Sequence, residues 1–374
     1  MIGSGSPGSS GPARIGLVGC GNISANYLVR LADLPNLELA AVCDLSEEAA
    51  RRVADEHHVP IRSLDEVLAD PDIDVVLNLT VPAQHVPVSS AALQAGKHVY
   101  QEKPLGLGLA EAADLVTAAN RVGRRLGAAP DTVLGTGIQT ARHAIDSGRI
   151  GLPIAATAFM TSPGHEGWHP NPGFYYAAGG GPLLDMGVYY LTALVTLLGP
   201  IESVSGRGSH LRTERIVPPG APRAGDRLPV EVDTHVTALL THASGALSTL
   251  VMSFDVQASR LPTIEVYGTD ATLAVPDPNQ FDGEVGLGVA GEPGFSVLEP
   301  SAGYVDAGRG HGLSDMVRAI AQGRPHRQSA ELALHVHEVM EGIATSSRSG
   351  SSVPVHTTCD RPDAVPYGVS PTEA

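Results

Sequence analysis

A glycine turn directly after the first apolar run is the feature that most constrains the fold of this 374-residue chain. The apolar run covers residues 15–18, and the turn reads Gly19-Cys20-Gly21-Asn22-Ile23-Ser24. Gly19 permits a tight turn, Gly21 lets a phosphate group approach the backbone, and the small Ser24 lets the following helix pack closely on a sheet. Because a helix N-terminus favours phosphate, the turn predicts a dinucleotide site that includes Asn22 and Ile23.

A carboxylate follows the second apolar run, residues 37–43, at about 20 residues or slightly more after the turn. This residue, Asp44, is expected to accept hydrogen bonds from the ribose hydroxyls of the cofactor. A carboxylate repels a 2′-phosphate, and Leu45 and Ser46 follow it rather than an arginine. The sequence therefore predicts NAD rather than NADP.

Short apolar runs alternate with amphipathic stretches through the first third of the chain, with strands expected at 75–79 and 98–101 and helices at 86–95 and 109–122. Alternation of this kind predicts an α/β Rossmann domain, a doubly wound parallel sheet with right-handed crossovers.

After about residue 130, strand-like runs follow one another without intervening helices, at 154–160, 234–240, 246–253 and 263–267. This pattern predicts an α+β domain with a large, mostly antiparallel, open-faced sheet. The predicted organisation is a flexible tail at 1–12, an NAD-binding domain at 13–130, a substrate-binding and oligomerisation domain at 131–356, and a C-terminal tail at 357–374.

The overall charge and the cysteine count exclude several classes of function. The formal net charge of −16 argues against nucleic acid, which needs a basic face. The three cysteines lack metal-ligand spacing and predict neither a disulfide framework nor a metal site, which fits the reducing cytoplasm. The apolar stretch at 183–201 is interrupted by Asp185 and is interpreted as a buried helix rather than a membrane span.

Two further segments are expected where a Rossmann sheet presents its ligand, outside the carboxyl ends of its strands. One is Asn78-Leu79-Thr80-Val81-Pro82 with His85 beyond it, and the other is Gln101-Glu102-Lys103-Pro104, placed at the end of the fifth strand. The residues predicted to contact the cofactor here are Leu79, Thr80, Pro82, His85, Glu102 and Lys103.

Four segments together carry a resemblance to a known family: GLVGCGNIS, NLTVPAQH, AGKHVYQEKPL and GGGPLLDMGVYYL. Their order and spacing resemble the Gfo/Idh/MocA family, which includes glucose-fructose oxidoreductase and inositol dehydrogenase. The resemblance extends from Ala13 to about Val355.

The resemblance implies that Lys103 is catalytic and lies beside the nicotinamide and the hydroxyl that is oxidised. Chemistry agrees, because a lysine ammonium can hydrogen-bond a developing alkoxide and stabilise its charge. Glu102 has three possible roles: to hold the cofactor, to hold the lysine, or to be an ordinary solvated acid.

In the second domain, the family pattern is an aspartate followed four residues later by a histidine, whereas this sequence has Asp185 and Tyr189. A spacing of four residues puts the side chains of Asp185 and Tyr189 on the same face of a helix. Either Tyr189 is activated by Lys103, or it only positions substrate while His165, His169 or Asp185 moves the proton, since tyrosine is a poor base at neutral pH. Asp185 has a structural alternative as a helix N-cap.

Substrate-binding candidates gather in an aromatic stretch and at one acid. Trp168, His169 and Tyr176 suit a sugar ring, whose C–H faces stack on aromatic side chains; the alternative is that the same aromatics cover the domain core. Asp131 stands just past the sixth expected strand, where members of the resembled family often place substrate-facing residues.

The sequence therefore predicts an NAD-dependent oxidoreductase that transfers a hydride between nicotinamide and a secondary hydroxyl of a sugar, sugar derivative or cyclitol. Two alternatives stay open: an NAD-dependent glycosidase that acts by transient oxidation and elimination, and a non-catalytic NAD-sensing protein. The expected partners are the small-molecule substrate and further copies of the chain in a homodimer or homotetramer, with no nucleic acid and no membrane.

Overall fold

The computed structural model describes residues 11–370. The predicted N-terminal tail therefore lies outside the described residues, apart from Gly11 and Pro12. The chain divides into two compact units, and the first contains the described residues up to Gly135, Gly303–Leu334 and the described residues from Pro362 onward. The second unit contains Thr136–Ala302 and His335–Arg361.

The first unit is built on a parallel sheet in the order β2-β1-β3-β4-β5. Its strands within residues 11–370 are β1 (Ala13–Val18), β2 (Leu37–Cys43), β3 (Val75–Asn78), β4 (His98–Gln101) and β5 (Leu126–Ala128). The Lys103 segment thus follows the fourth strand and not the predicted fifth, and Asp131 follows the fifth strand and not the sixth. Residues 64–69 are helical, begin with a Ser63/Glu66 capping box and contribute no strand between β2 and β3.

Helices cover both faces of this sheet: α1 (Asn22–Leu31), α2 (Glu47–His57), α3 (Leu64–Ala69), α4 (Pro82–Gln94) and α5 (Leu109–Val122). One core joins Val88 of α4 and Leu115 of α5 to the sheet. The other core joins Tyr27 and Leu31 of α1 to the opposite face. The doubly wound α/β prediction is confirmed.

The first unit also contains segments that the sequence pattern assigned to the second domain and to the C-terminal tail. Helix α8 (His311–Gln322) places Leu313 and Met316 in the same core as Tyr27. Val365 is fully buried in this unit, and Arg327 donates to the backbone oxygens of Asp363 (2.9 Å) and Ala364 (3.1 Å). The division therefore differs from the predicted domain at 131–356 and tail at 357–374, because apolar and backbone contacts far apart in sequence hold these segments.

The second unit is built on a sheet in the order β15-β14-β13-β12-β6-β11-β10-β7-β16, in which β6 and β11 are parallel and the other pairs antiparallel. The strands are β6 (Pro153–Thr161), β7 (Ile201–Ser209), β10 (His235–His242), β11 (Leu247–Ser253), β12 (Ile264–Gly268), β13 (Ala271–Val275), β14 (Val285–Val289), β15 (Ser296–Leu298) and β16 (Val353–Pro354). A separate hairpin joins β8 (Glu214–Ile216) to β9 (Arg227–Pro229).

Burial alternates along the central strands of this sheet, so that Val236, Ala238 and Leu240 are buried while the residues between them are more exposed. Period-two alternation is typical of an antiparallel sheet with one open face, which confirms that prediction. The helices are α6 (Thr136–Asp146), α7 (Val188–Leu198) and α9 (Ala330–Ser349), and the division between the units falls within α9.

Every residue of α7 is buried, as expected for the apolar stretch that contains it. Among the described residues, no helix has both the length and the apolar character needed to cross a membrane.

Candidate functional site

The glycine turn packs tightly against the end of β3. Gly19 has a φ of +100°, and a Cβ there would lie 2.6 Å from the carbonyl carbon and oxygen of Leu79. The Leu79 amide donates to the Val18 oxygen at 2.8 Å. Because β1 and β3 are neighbours at the point where the strand order reverses, the two segments meet at the position where open α/β sheets bind ligands.

The space around Gly21 is open, whereas the space around Gly19 is crowded. It is the N-cap of α1, has a negative φ, and a Cβ there would meet nothing within 4 Å. No side chain of the described residues caps this helix end, and its first turn carries no acid. The Ser24 hydroxyl donates to the Gly21 oxygen at 2.7 Å and keeps the turn compact. The N-terminus beginning at Asn22 and Ile23 therefore has the room and the polarity that a pyrophosphate needs.

Asp44 bonds to the turn. Its Oδ2 accepts from the Cys20 amide and its Oδ1 from the Ser46 amide, both at 2.7 Å. Each carboxylate oxygen has two lone pairs, so capacity remains for ribose hydroxyls. Burial, followed by the charge of Asp44, raises the pKa of Cys20 to about 12, which disfavours a role of this thiol as a nucleophile.

A buried polar network joins the segments after β3 and β4. The Asn78 amide group donates to Ser89 Oγ at 3.0 Å, and Ser89 donates to Gln101 Oε1 at 2.8 Å. Gln101 donates to the Leu105 oxygen at 3.0 Å, and Thr80 Oγ1 donates to Asn78 Oδ1 at 2.6 Å. Side chains therefore fix the two loops that hold the predicted cofactor contacts.

His85 belongs to this network. Its ring is buried, with Nδ1 2.7 Å from the Pro104 oxygen and Nε2 3.0 Å from the Thr80 oxygen. The peptide bond between Lys103 and Pro104 is cis. His85 thus contacts backbone of both loops, which favours a positioning role over the predicted direct contact with the cofactor; Pro82 begins α4 and is exposed.

Glu102 is buried and is not a solvated acid. Its Oε1 accepts from the Tyr27 hydroxyl at 2.9 Å and lies 3.6 Å from Arg309 Nη1, while its Oε2 accepts from the Lys103 amide at 3.0 Å. Of the three roles that the sequence left open, these contacts favour that of holding the lysine segment. Lys103 itself is half-buried.

Asp131 lies where its predicted substrate role is hard to fulfil. It has no exposed surface, and its Oδ2 accepts from the amides of Gly310 (2.9 Å) and Gly312 (3.0 Å) at the start of α8. Burial raises its pKa, against the opposing charge of Arg309. These contacts indicate a carboxylate that anchors a helix N-terminus and disfavour a direct contact with substrate, and the substrate role of Asp131 stays a prediction.

In the second unit, residues 165–176, here called the aromatic segment, contain the candidates predicted to stack on substrate. Trp168 is 62% exposed. His169 packs edge-on against Trp168 and Tyr175, and its Nδ1 accepts from the Asn171 amide at 3.0 Å. Trp168 thus offers the exposed aromatic face that the sequence predicted for this segment.

Tyr176, by contrast, is a core residue. It has no exposed surface, its hydroxyl donates to Glu166, and the Arg215 guanidinium lies 5.1 Å from its ring centroid. The phenol is already engaged inside the unit, which disfavours the predicted substrate contact of Tyr176, and that contact stays a prediction.

Arg215 is a buried neighbour of the aromatic segment that sequence reasoning missed. It is almost fully buried and donates to the Pro163 oxygen (3.2 Å) and to Glu166 (3.1 Å), with Asp255 at 3.2 Å. An arginine in a Pro- and Gly-rich stretch gives no signal of such a role, because its partners are about 40–50 residues away in sequence.

Asp185 and Tyr189 lie at the beginning of the buried helix. Residues Leu183–Gly187 form a π-helical turn, and α7 follows with Gly187 as its N-cap. The alternative that Asp185 caps this helix is therefore wrong. Tyr189 is buried, whereas the Asp185 side chain is 22% exposed, and such π-turns occur frequently at functional sites.

Comparison with known proteins bears on this arrangement. A family model described as an oxidoreductase family with an NAD-binding Rossmann fold matches residues 13–129. A second model, described as the GFO/IDH/MocA C-terminal domain, matches residues 138–274, so that the two together cover more than half of the chain. The chain belongs to the Gfo/Idh/MocA oxidoreductase family.

Named relatives in this family act on small molecules. A 1,5-anhydro-D-fructose reductase of Ensifer adhaerens is 34% identical over 200 residues, which cover 51% of this chain and 59% of that protein. A myo-inositol 2-dehydrogenase of Thermotoga maritima is 28% identical over 271 residues, which cover 70% of this chain and 74% of that protein. A solved NAD binding oxidoreductase from Klebsiella pneumoniae superposes with a TM-score of 0.79 at 26% identity, over 92% of this chain and 100% of that one.

Membership in the Gfo/Idh/MocA family confirms the predicted fold class, the oxidoreductase class and NAD as cofactor. The turn at Gly21 and the carboxylate of Asp44 fit that cofactor by their own geometry. The individual site residues stay predictions.

Proposed function

We propose that the chain catalyses hydride transfer between nicotinamide and a secondary hydroxyl of a sugar, a sugar derivative or a cyclitol. The relatives named above support this class, one as the reductase of an anhydro-sugar and one as the dehydrogenase of a cyclitol. Neither name supports the glycosidase or the non-catalytic alternative.

The observation that carries the proposal is the placement of Lys103. It follows β4, its amide is held by the buried Glu102, and the polar network through Gln101 and His85 fixes the same loop. When bound, the nicotinamide accepts or returns the hydride. Lys103 would donate a hydrogen bond to the reacting oxygen and stabilise its developing negative charge, which is worth most where the donor is held in place beforehand.

Separate roles are proposed for residues of the second unit. Asp185 and Tyr189 are proposed to bind substrate hydroxyls, and Trp168 and His169 to supply an apolar surface for the C–H face of the ring. The roles of Asp185 and Trp168 have the most direct support, because the Asp185 side chain is partly exposed and the Trp168 indole is exposed.

The test replaces Lys103 by methionine, with Lys103→Arg as the control that keeps the charge. Wild-type protein is assayed by nicotinamide absorbance with myo-inositol, D-glucose and 1,5-anhydro-D-fructose, using NAD(H) and NADP(H) side by side. We expect Lys103→Met to lower kcat by about 10²–10³-fold, while NADH affinity changes by only a few-fold, because the lost interaction serves the transition state. Full activity of Lys103→Met would overturn the proposal.

Self-association and a cytoplasmic location are also proposed. The open face of the large sheet carries Leu239 (62% exposed) and Leu247 (58% exposed), which strand pairing places on the same face. Burial of this face between two or four copies would remove that apolar surface from water. The three cysteine thiols are free, as is usual in a reducing cytoplasm.

A further inference from the structure

An imidazole and a carboxylate of the second unit face each other across a gap of defined width. His165 Nε2 lies 3.8 Å from Asp185 Oδ2, with the two side chains 13% and 22% exposed. This separation is too long for a direct hydrogen bond. A hydroxyl oxygen beside the pair can lie about 2.8 Å from both atoms at once, which is a normal hydrogen-bond distance.

The His165 ring is held rigidly. It stacks on Tyr175 with centroids 3.8 Å apart and an interplanar angle of 15°, and it meets the Phe254 ring edge-on at 4.5 Å. Its backbone amide donates to the Tyr176 hydroxyl at 3.2 Å. The buried Arg215 fixes that neighbourhood through Glu166 and the Pro163 oxygen. A ring held in this way loses little further freedom when it binds a ligand.

The inner nitrogen of the ring determines which tautomer suits the site. His165 Nδ1 is buried and has no hydrogen-bond partner among residues 11–370. Burying an N–H group without an acceptor is costly, which favours the neutral tautomer with its hydrogen on Nε2. Burial lowers the pKa of His165; of the charged and titratable groups around it, Asp185 and Glu166 oppose this shift, while His169 and Arg215 add to it.

We propose that His165 and Asp185 together form a clamp for one substrate hydroxyl, with Nε2–H donating to the hydroxyl oxygen and the carboxylate accepting the hydroxyl hydrogen. His165 is then a specificity-determining residue, and the substrate must carry a hydroxyl that both donates and accepts at this position. A deoxy group does neither, and a fluoro group or methyl ether can only accept. The inference rests on the proposed function and deepens it.

The decisive experiment is a double-mutant-type cycle, in which the protein and the substrate are each changed at one position, separately and together. The best substrate of the panel and its single-position deoxy and deoxyfluoro forms are compared in wild type and in His165→Phe, which keeps the aromatic stacking and removes the donor. At one position of the substrate, we expect wild type to turn over the deoxy form with a kcat/KM about tenfold or more below that of the parent substrate, mainly through a higher KM. In His165→Phe, we expect kcat/KM for the deoxy form to be little below that for the parent substrate.

Three further variants sharpen the result. His165→Gln returns an N–H donor and is expected to restore part of the discrimination, which a purely structural role of the ring would not produce. Asp185→Leu removes the acceptor and is expected to abolish the discrimination at the same position. His210→Phe removes the imidazole of another His–Asp pair of the second unit, in which His210 Nδ1 lies 3.1 Å from Asp233 Oδ1; it is the matched control and should behave as wild type. Equal deoxy penalties in wild type and His165→Phe at every position would overturn the clamp.

Binding measured without turnover separates this proposal from the proposed function. Trp168 is the only tryptophan, and its ring centroid lies 5.4 Å from that of His165, so its fluorescence reports on this site. Myo-inositol and D-glucose are titrated into the NAD⁺-loaded protein. If neither is oxidised, yet one binds to wild type at least tenfold more tightly than to His165→Phe, the clamp stands and the proposed reaction fails. If wild type oxidises a panel compound and the two proteins bind it equally, only the clamp fails.

Discussion

Gly19 and Gly21 belong to the same turn, but they differ in the atoms that a Cβ would meet at each position. At Gly19 the positive φ and the 2.6 Å approach to the Leu79 backbone exclude a side chain for reasons of folding. At Gly21 a Cβ would enter open space and the φ is ordinary, so folding does not require glycine there. The sequence motif already distinguishes the two glycines by role, and the surroundings of the two glycines differ accordingly.

We therefore predict opposite phenotypes for alanine at the two positions. Gly19→Ala is expected to destabilise the first unit by at least about 1–2 kcal/mol, the cost of a left-handed backbone with a side chain, plus the clash with Leu79. Gly21→Ala should melt close to wild type and bind NADH about tenfold or more weakly, a loss of about 1.4 kcal/mol, because its methyl group occupies the phosphate position. Thermal unfolding and NADH titration of both variants check this. A Gly21→Ala protein with undiminished NADH affinity would contradict the assignment of the phosphate site.

At the scale of elements, the β8–β9 hairpin contributes to the aromatic segment through one buried side chain. Arg215 reaches from β8 to Glu166, Asp255 and the Pro163 oxygen. In the same hairpin, Arg227 pairs with Glu214 on the surface, with 67% and 39% of their side chains exposed. The two arginines provide a comparison of a buried with an exposed ion pair.

Arg215→Met is expected to destabilise the second unit by about 3–5 kcal/mol, because it leaves two carboxylates without their buried partner. Arg227→Met should change stability by no more than about 1 kcal/mol, since exposed pairs contribute little. Thermal and denaturant unfolding of both variants measure the difference. Equal stability of the two proteins would show that the buried cluster does not hold the aromatic segment.

At the scale of the whole molecule, the open face of the nine-stranded sheet in the described chain is the feature that a single copy leaves exposed. Leu239 is paired with Ser205 on one neighbouring strand and with Thr249 on the other, so a leucine is surrounded by small polar residues. Such a flat and mildly apolar surface suits contact with a second copy related by symmetry.

If the proposed oligomer forms through this face, Leu239→Glu is expected to give monomers, because like charges would meet across a symmetric interface. Leu261→Glu is the control: Leu261 is exposed to a similar degree but lies in a loop of the same unit. Light scattering after size-exclusion chromatography measures the mass of each protein. A wild type that is already monomeric, or a Leu239→Glu protein of unchanged mass, would exclude this face as the interface.

Local pattern was sufficient for much of the site. The apolar run, the glycine turn and Asp44 form one contiguous βαβ unit, so residue types and spacing alone determined its fold and its cofactor. The Lys103 segment and the open antiparallel sheet could be predicted for the same reason, because turns, prolines and period-two alternation act over a few residues.

Tertiary structure alone decided the roles that depend on partners distant in sequence. Asp131 anchors α8 from 179 residues away, Tyr176 is buried beneath Arg215, and the carboxylate that faces His165 belongs to a π-helical turn 20 residues further on. Whether a polar side chain contacts substrate or holds a helix depends on what surrounds it in three dimensions, and burial and hydrogen-bond geometry have no local sequence signal. The glycine turn together with Asp44 predicted the cofactor, while packing in the second unit determined which of its polar groups are buried and which are partly exposed.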